Sequence, residues 1–285
     1  MRIVERNVYV GPSMYAHFPV IKLLLDLGAL EQWPSGKLGA AYVDALVAAL
    51  PTFFLPHRVL LAFIRSYART SLWLLRVVCG IKVEWRGIEK IPRGACIIAC
   101  KHQSAWETFA LYAVLRDPVF VLKRELMWIP LFGWYTWKAG QIPVNRDAGF
   151  AVLSRMAARA RQELARGRQV VIFPEGTRRA PGAEPAYKPG IAYLYSKADV
   201  ACVPLALNSG LFWPRRSLRR FPGTILVEAL EPIAPGLDRK IFAARLESVL
   251  EEATARLIAE GRRQIATRDA AQNRQDDGTT AGSTS

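Results

Sequence analysis

Of the three histidines in the chain, His102 stands where chemistry is easiest to build. It directly follows the apolar run ACIIAC, in the segment KHQSAWET, and Glu107 lies five positions on. On one continuous helix, residues five apart point about 140° from each other and cannot meet. With His102 in a strand-to-helix turn and Glu107 one turn into the helix, the carboxylate can reach a ring nitrogen. That contact fixes the tautomer and stabilises the imidazolium, as a general base requires. A second stretch, VVIFPEGTRR at 170–179, runs from an apolar strand into Pro174, Glu175, Gly176, Thr177 and Arg178. Gly at a strand end permits close backbone approach, and Arg offers a bidentate fork for phosphate. A third, QIPVNR at 141–146, ends in Arg146, another candidate phosphate ligand. Each has an ordinary alternative: a histidine near an acid, a strand-ending turn, a solvated arginine.

The elements that position these residues follow from periodicity. Strands are expected at IKVEWRG from Ile81, at ACIIAC over 95–100, at PVFVLK, at QVVIF over 169–173, and at ACVPLAL and TILVEAL. Helices are expected from Ala105 to Leu115, Ala148 to Arg166 and Ile191 to Lys197, with a closing helix from Asp238 to Ala259. Strands alternating with helices predict an α/β domain with a mostly parallel central sheet flanked by helices, over residues 81–262. The segment 263–285 is rich in Gln, Asn, Asp, Gly, Thr and Ser from about Arg268 and reads as a disordered tail.

Composition narrows the function. The 285 residues carry 39 Lys+Arg against 24 Asp+Glu, a formal charge of +15, and are 51% hydrophobic. Such a chain folds, and its partner is anionic: nucleic acid, a membrane surface, or a phosphorylated or CoA-type substrate. No nucleic-acid recognition motif accompanies the charge. The Gly-rich nucleotide fingerprints are missing, so ATP and NAD have no support. The four cysteines have no metal-site spacing, and Cys96 and Cys100 fall on one face of a strand as small buried thiols.

Membrane contact is read at residues 38–80. The N-terminus has no apolar core of a secretory signal. The longest apolar stretch, Leu38 to Pro56, carries Asp44, Pro51 and Pro56 and makes a poor spanning helix. From Arg58 to Arg76 the chain predicts a helix whose four arginines, at 58, 65, 69 and 76, share a stripe about 40° wide. Such a helix suits a bilayer interface, with guanidinium groups among lipid phosphates. A basic, aromatic segment, LFWPRRSLRRFPG at 211–223, suits an interfacial loop or an acidic carrier.

Together, the His102–Glu107 segment, Arg146, Phe173-Pro174-Glu175-Gly176-Thr177-Arg178 with Lys188 and Gly190, and the strand Val203-Pro204-Leu205 resemble the four blocks of the glycerolipid acyltransferase family. The closest type within it acylates 1-acylglycerol-3-phosphate. The family's first block pairs His with Asp; Glu107 departs from that by one methylene. The resemblance implies that His102, paired with Glu107, takes the proton from the sn-2 hydroxyl of lysophosphatidic acid. The hydroxyl then attacks the thioester of an acyl-CoA or acyl carrier protein. Arg146 and Arg178 would hold the acceptor's phosphate, with Lys188 assisting, while Glu175, Gly176 and Thr177 shape the binding loop. No metal or cofactor is implied. It also implies an N-terminal membrane-associated helical pair holding the enzyme, monotopic or singly anchored, on the cytoplasmic face of a bacterial inner membrane. Alternatives are another acceptor, such as a lyso-ornithine lipid, and an idle membrane-binding protein. Residues 1–51, in which IKLLLDL at 21–27 is an expected strand, separately resemble the start of cyanophycin synthetase, including its Gly11-Pro12 turn and the LDLGALE…PS run, with none of that enzyme's catalytic motifs; residues 1–37 form this extension.

Overall fold

A computed structural model describes residues 53–129, 132–145, 149–215, 217 and 219–281. The N-terminal extension, its expected strand, the first helix of the expected pair and Arg146 lie outside the described residues.

The chain enters through helix α1 (His57–Cys79), which ends where Gly80 adopts φ 66° and donates its N–H to the Leu75 carbonyl. That left-handed cap turns the chain directly into strand β1 (Ile81–Arg86). A Cβ at Gly80 would lie 3.0 Å from Pro222, so the tight exit admits little else. There follow β2 (Cys96–Cys100), α2 (Glu107–Ala110), β3 (Pro118–Lys123), α3 (Phe132–Lys138) and β4 (Ile142–Val144). Then come α4 (Gly149–Ala165), β5 (Gln169–Ile172), α5 (Gly190–Ala198), β6 (Cys202–Leu207), β7 (Gly223–Ala229) and α6 (Arg239–Ala281). The seven strands form one sheet in the order β1-β7-β6-β2-β5-β3-β4. β6, β2, β5, β3 and β4 run parallel to one another, whereas β7 pairs antiparallel with β6 and carries β1 beside it in parallel. This is the α/β class the periodicity predicts.

β2 lies near the centre of the sheet, between β6 and β5, which is why it is apolar at every position. Its alternate residues serve two cores. Cys96, Ile98 and Cys100 meet α1 and the α2 region, through Leu75, Trp106 and Phe109. Ile97 and Ala99 meet α4, α5 and the start of α6, through Met156, Leu194 and Phe242. All four cysteines are buried free thiols, and burial pushes Cys96 up to about 12, so they behave as small apolar side chains.

Several elements differ from expectation. The helix expected over Ala105–Leu115 is a single α-helical turn followed by a 3₁₀ turn, Leu111–Ala113, because the chain must bend within a few residues to enter β3 at Pro118. α3 and β4 are not apparent from the pattern, since seven and three residues are too few to establish a period. α6 extends well past Ala259 and into the segment read as disordered. Arg268, within that extension, donates to the Pro222 carbonyl, and the residues between carry no Pro and one Gly.

α6 is also fastened to the sheet edge electrostatically. Arg86 on β1 forks onto Glu260 at 2.7 and 2.8 Å and reaches Glu84 at 2.7 Å. The hydrogen bonds from Arg86 hold the Glu260 carboxyl below its ordinary range. A lowered folded-state pKa contributes stability that is present above the ordinary carboxylate pKa and is lost as pH falls through the lowered one. The pair is partly solvated, so Glu260→Gln is expected to cost about 1 kcal/mol near neutrality. Unfolding curves of wild type and variant should converge in acid; a gap independent of pH would exclude this pair as its source.

Candidate active site

The site forms at the carboxyl end of β2, where open parallel sheets place their ligands. His102 leaves the strand two residues after Cys100, and Glu107 opens α2. The turn between them brings His102 Nδ1 to 3.2 Å from Glu107 Oε2. Glu107 is fully buried, with its charge met by several donors. The Ser104 N–H lies 3.1 Å from both carboxylate oxygens and the Gln103 N–H 3.4 Å from Oε1. The Ser209 hydroxyl, from the turn after β6, also donates to Oε1. The extra methylene of Glu relative to Asp is thus accommodated by a carboxylate seated among donors from two segments. Donation of Nδ1–H to this carboxylate leaves the lone pair on Nε2, the geometry of a general base.

The imidazole stacks on Phe173, with ring centres 3.9 Å apart and planes 18° from parallel. Phe173 ends the apolar run of β5 and begins the FPEGTR loop, and the Arg179 N–H donates to the His102 carbonyl at 2.8 Å. Two segments about 70 residues apart in sequence are therefore one surface. Inside the loop, the Gly176 N–H donates to the Phe173 carbonyl at 2.9 Å and Gly176 has φ 66°, a conformation that disfavours a side chain. Lys188 donates its N–H to the Pro174 carbonyl at 2.8 Å, which places its exposed side chain beside the loop. Thr177 is exposed and Arg178 half-buried. Glu175 is buried and accepts from Lys101 Nζ at 3.0 Å; burial pushes its carboxyl up, and the Lys101 ammonium opposes that.

The structure therefore brings together His102, Glu107, Glu175, Gly176, Thr177, Arg178 and Lys188. Sequence reasoning does not find Ser209, Phe173 as a stacking partner, or Lys101. Ser209 is 102 positions from Glu107, and a lone serine after a strand carries no signal. The segment 211–223 departs from its reading as a loop of lipid-facing aromatics and arginines. Phe212 and Trp213 are buried, and Arg220 stacks over the Trp213 ring at 3.7 Å while donating to the Ser217 and Arg219 carbonyls. An arginine beside a ring face is satisfied inside the fold, leaving Phe221 partly exposed. Arg215 donates to the Arg178 carbonyl at 3.1 Å and braces the FPEGTR loop.

Residues 82–208, which carry both the His102–Glu107 turn and the FPEGTR loop, match the Acyltransferase family. The chain is 39% identical over 189 residues to a 1-acyl-sn-glycerol-3-phosphate acyltransferase of Pseudomonas aeruginosa, an alignment covering 66% of this chain and 74% of that one. It belongs to the 1-acyl-sn-glycerol-3-phosphate acyltransferase family. A lyso-ornithine lipid O-acyltransferase from the same organism is 28% identical over 199 residues, covering 64% of this chain and 76% of its own. The crystal structure of the lysophosphatidic acid acyltransferase PlsC from Thermotoga maritima shares the fold, with a TM-score of 0.61 at 20% identity, covering 86% of this chain and 95% of that one.

Removing the Ser209 hydroxyl deprives a buried carboxylate of one donor. Ser209→Ala is expected to cost about 1–3 kcal/mol of stability and to slow acyl transfer roughly tenfold, without shifting the acceptor KM. Thermal unfolding and steady-state kinetics check it; a KM effect alone would place Ser209 on the substrate instead.

Proposed function

We propose that this enzyme transfers an acyl group from a thioester, acyl-CoA or acyl carrier protein, to the sn-2 hydroxyl of 1-acylglycerol-3-phosphate, giving phosphatidic acid. The observation that carries this reading is the imidazole–carboxylate contact at the end of β2, with the FPEGTR loop hydrogen-bonded to the same histidine. The identity to the Pseudomonas enzyme supports the phosphate-bearing acceptor over the aminolipid named for the second relative.

In this mechanism His102 Nε2 takes the proton of the acceptor hydroxyl as its oxygen attacks the thioester carbonyl. Glu107 stabilises the imidazolium that results. The tetrahedral intermediate collapses by breaking the carbon–sulfur bond, and the imidazolium returns the proton to the departing thiolate. A positioned base of this kind typically contributes about 10²–10⁴-fold. Arg178, with Lys188 and Arg146, supplies the cationic field for the acceptor's phosphate. His102→Ala is expected to abolish coupled thiol release and phosphatidic acid formation while leaving the unfolding temperature nearly unchanged. Wild-type turnover in that variant would remove His102 from the role of base.

The same reading places the enzyme on an anionic membrane surface. α1 buries Leu60, Ala68, Ser71, Leu75 and Cys79, and exposes Val59, Phe63, Trp73 and Val77 along the opposite side. Arg58, Arg69 and Arg76 are exposed and flank that apolar stripe. Arg65, expected among them, instead turns inward and donates to the Leu115 and Arg116 carbonyls. An apolar stripe edged by arginine suits a helix lying in the interface, and among the described residues no helix is long and apolar enough to cross a membrane. Replacing both Phe63 and Trp73 with Ser is expected to weaken sedimentation with anionic phospholipid vesicles at least about tenfold. Unchanged sedimentation would exclude this face as the membrane contact.

A further inference from the structure

The end of β2 sends successive side chains to opposite faces of the sheet. His102 follows Ile98 and Cys100 toward Phe173, and Lys101 follows Ile97 and Ala99 to the side covered by α6. Lys101 is only 4% exposed. A lysine is costly to bury, and it is retained in such a place only with its charge fully met. Its Nζ donates to Glu175 Oε1 at 3.0 Å and to Glu251 Oε1 of α6, and lies 5.6 Å from the centre of the Tyr187 ring. The Tyr187 hydroxyl donates to the same Glu251 oxygen at 2.7 Å. The acyl-transfer mechanism uses none of Lys101, Glu251 or Tyr187.

We propose that Lys101 is a positioning residue for acyl transfer: anchored by Glu251, its ammonium keeps Glu175 ionised and holds the FPEGTR loop against the His102 turn. The proposal rests on the reading of that loop as the acceptor-binding element. The groups facing Glu175 are Lys101, Glu251, the Tyr187 hydroxyl and Arg179, the last with its Nε at 3.9 Å. Burial and the Glu251 charge push the Glu175 carboxyl up, while Lys101 and Arg179 pull it down. Without the ammonium, two carboxylates share a largely buried space, and one takes up a proton. Glu175 is the more buried of the two, with a side chain 1% exposed against 26% for Glu251. Its second oxygen has no hydrogen-bond partner among the described residues, so once neutral it has little to hold it in register. The loop then loses its side-chain tie to Lys101 and keeps the Arg179 N–H on the His102 carbonyl and the Phe173 ring on the imidazole.

The test measures thiol release from oleoyl-CoA with 1-acylglycerol-3-phosphate between roughly pH 6 and pH 9, alongside thermal unfolding of each variant. Lys101→Met is expected to lose at least about tenfold in kcat/KM near neutrality and to regain part of it as pH rises and Glu175 ionises. Lys101→Arg, which keeps the charge, should stay within about threefold of wild type. Glu175→Gln should show no such rise with pH, and the double variant should be no slower than Glu175→Gln alone. A wild-type Lys101→Met profile overturns the proposal, as does a pH-independent loss that multiplies with that of Glu175→Gln. Should Lys101→Met not fold, Lys101→Arg decides: a loss equal to that of Glu175→Gln overturns it, and near wild-type kinetics support it. Wild-type kinetics in Glu175→Gln would instead remove the loop's role in the site and leave Lys101 without a target.

Discussion

A carboxylate buried out of water must be surrounded by donors, and Glu107 imposes that requirement on this fold. Its ion costs several kcal/mol to desolvate, and the N–H groups of Ser104 and Gln103, the Ser209 hydroxyl and His102 together offset it. Those donors come from the turn after β2 and the turn after β6. Adjacent parallel strands bring the two turns to the same edge of the sheet. The imidazole is consequently oriented by the sheet itself rather than by a flexible loop, which is the rigidity that positioned proton transfer needs.

The charge distribution follows two rules at once. Among the described residues, each buried cation has specific acceptors: Arg168 has Asp117, Glu163 and the Ala139 carbonyl, Lys101 has Glu175 and Glu251, and Arg220 has a tryptophan face and two carbonyls. On α1, Arg58, Arg69 and Arg76 stay outside, beside exposed apolar residues. Among the described residues the excess of positive charge lies on groups that remain at least partly exposed. His57 shows how α1 is joined to this scheme, with its Nε2 3.2 Å from both oxygens of Asp117, the residue that Arg168 also grips. The helix with the exposed apolar stripe and the sheet that holds the site are both joined to this carboxylate.

Local pattern along the chain encodes its secondary structure and its short motifs. Continuous apolar runs such as CIIAC and VVIF mark buried strands, and helical periods between them establish the α/β class and its mostly parallel sheet. Block order and residue type single out His102, Glu107 and the FPEGTR loop as candidates, because their spacing depends on short turns that tolerate little change. Which distant groups complete them depends on how the strands and helices pack. Ser209 reaches Glu107, Phe173 stacks on His102, and Lys101 meets Glu251, through strand pairing and helix packing that leave no mark on neighbouring residues. The same limit explains the errors in detail. Identical arginines on one helix face separate into Arg65, turned to backbone carbonyls, and its exposed neighbours, since what lies opposite each position is set by the packed domain. Phe212, Trp213 and Arg220 read as surface for the same reason: composition reports what a segment can bury, and only its packing partners decide whether it does.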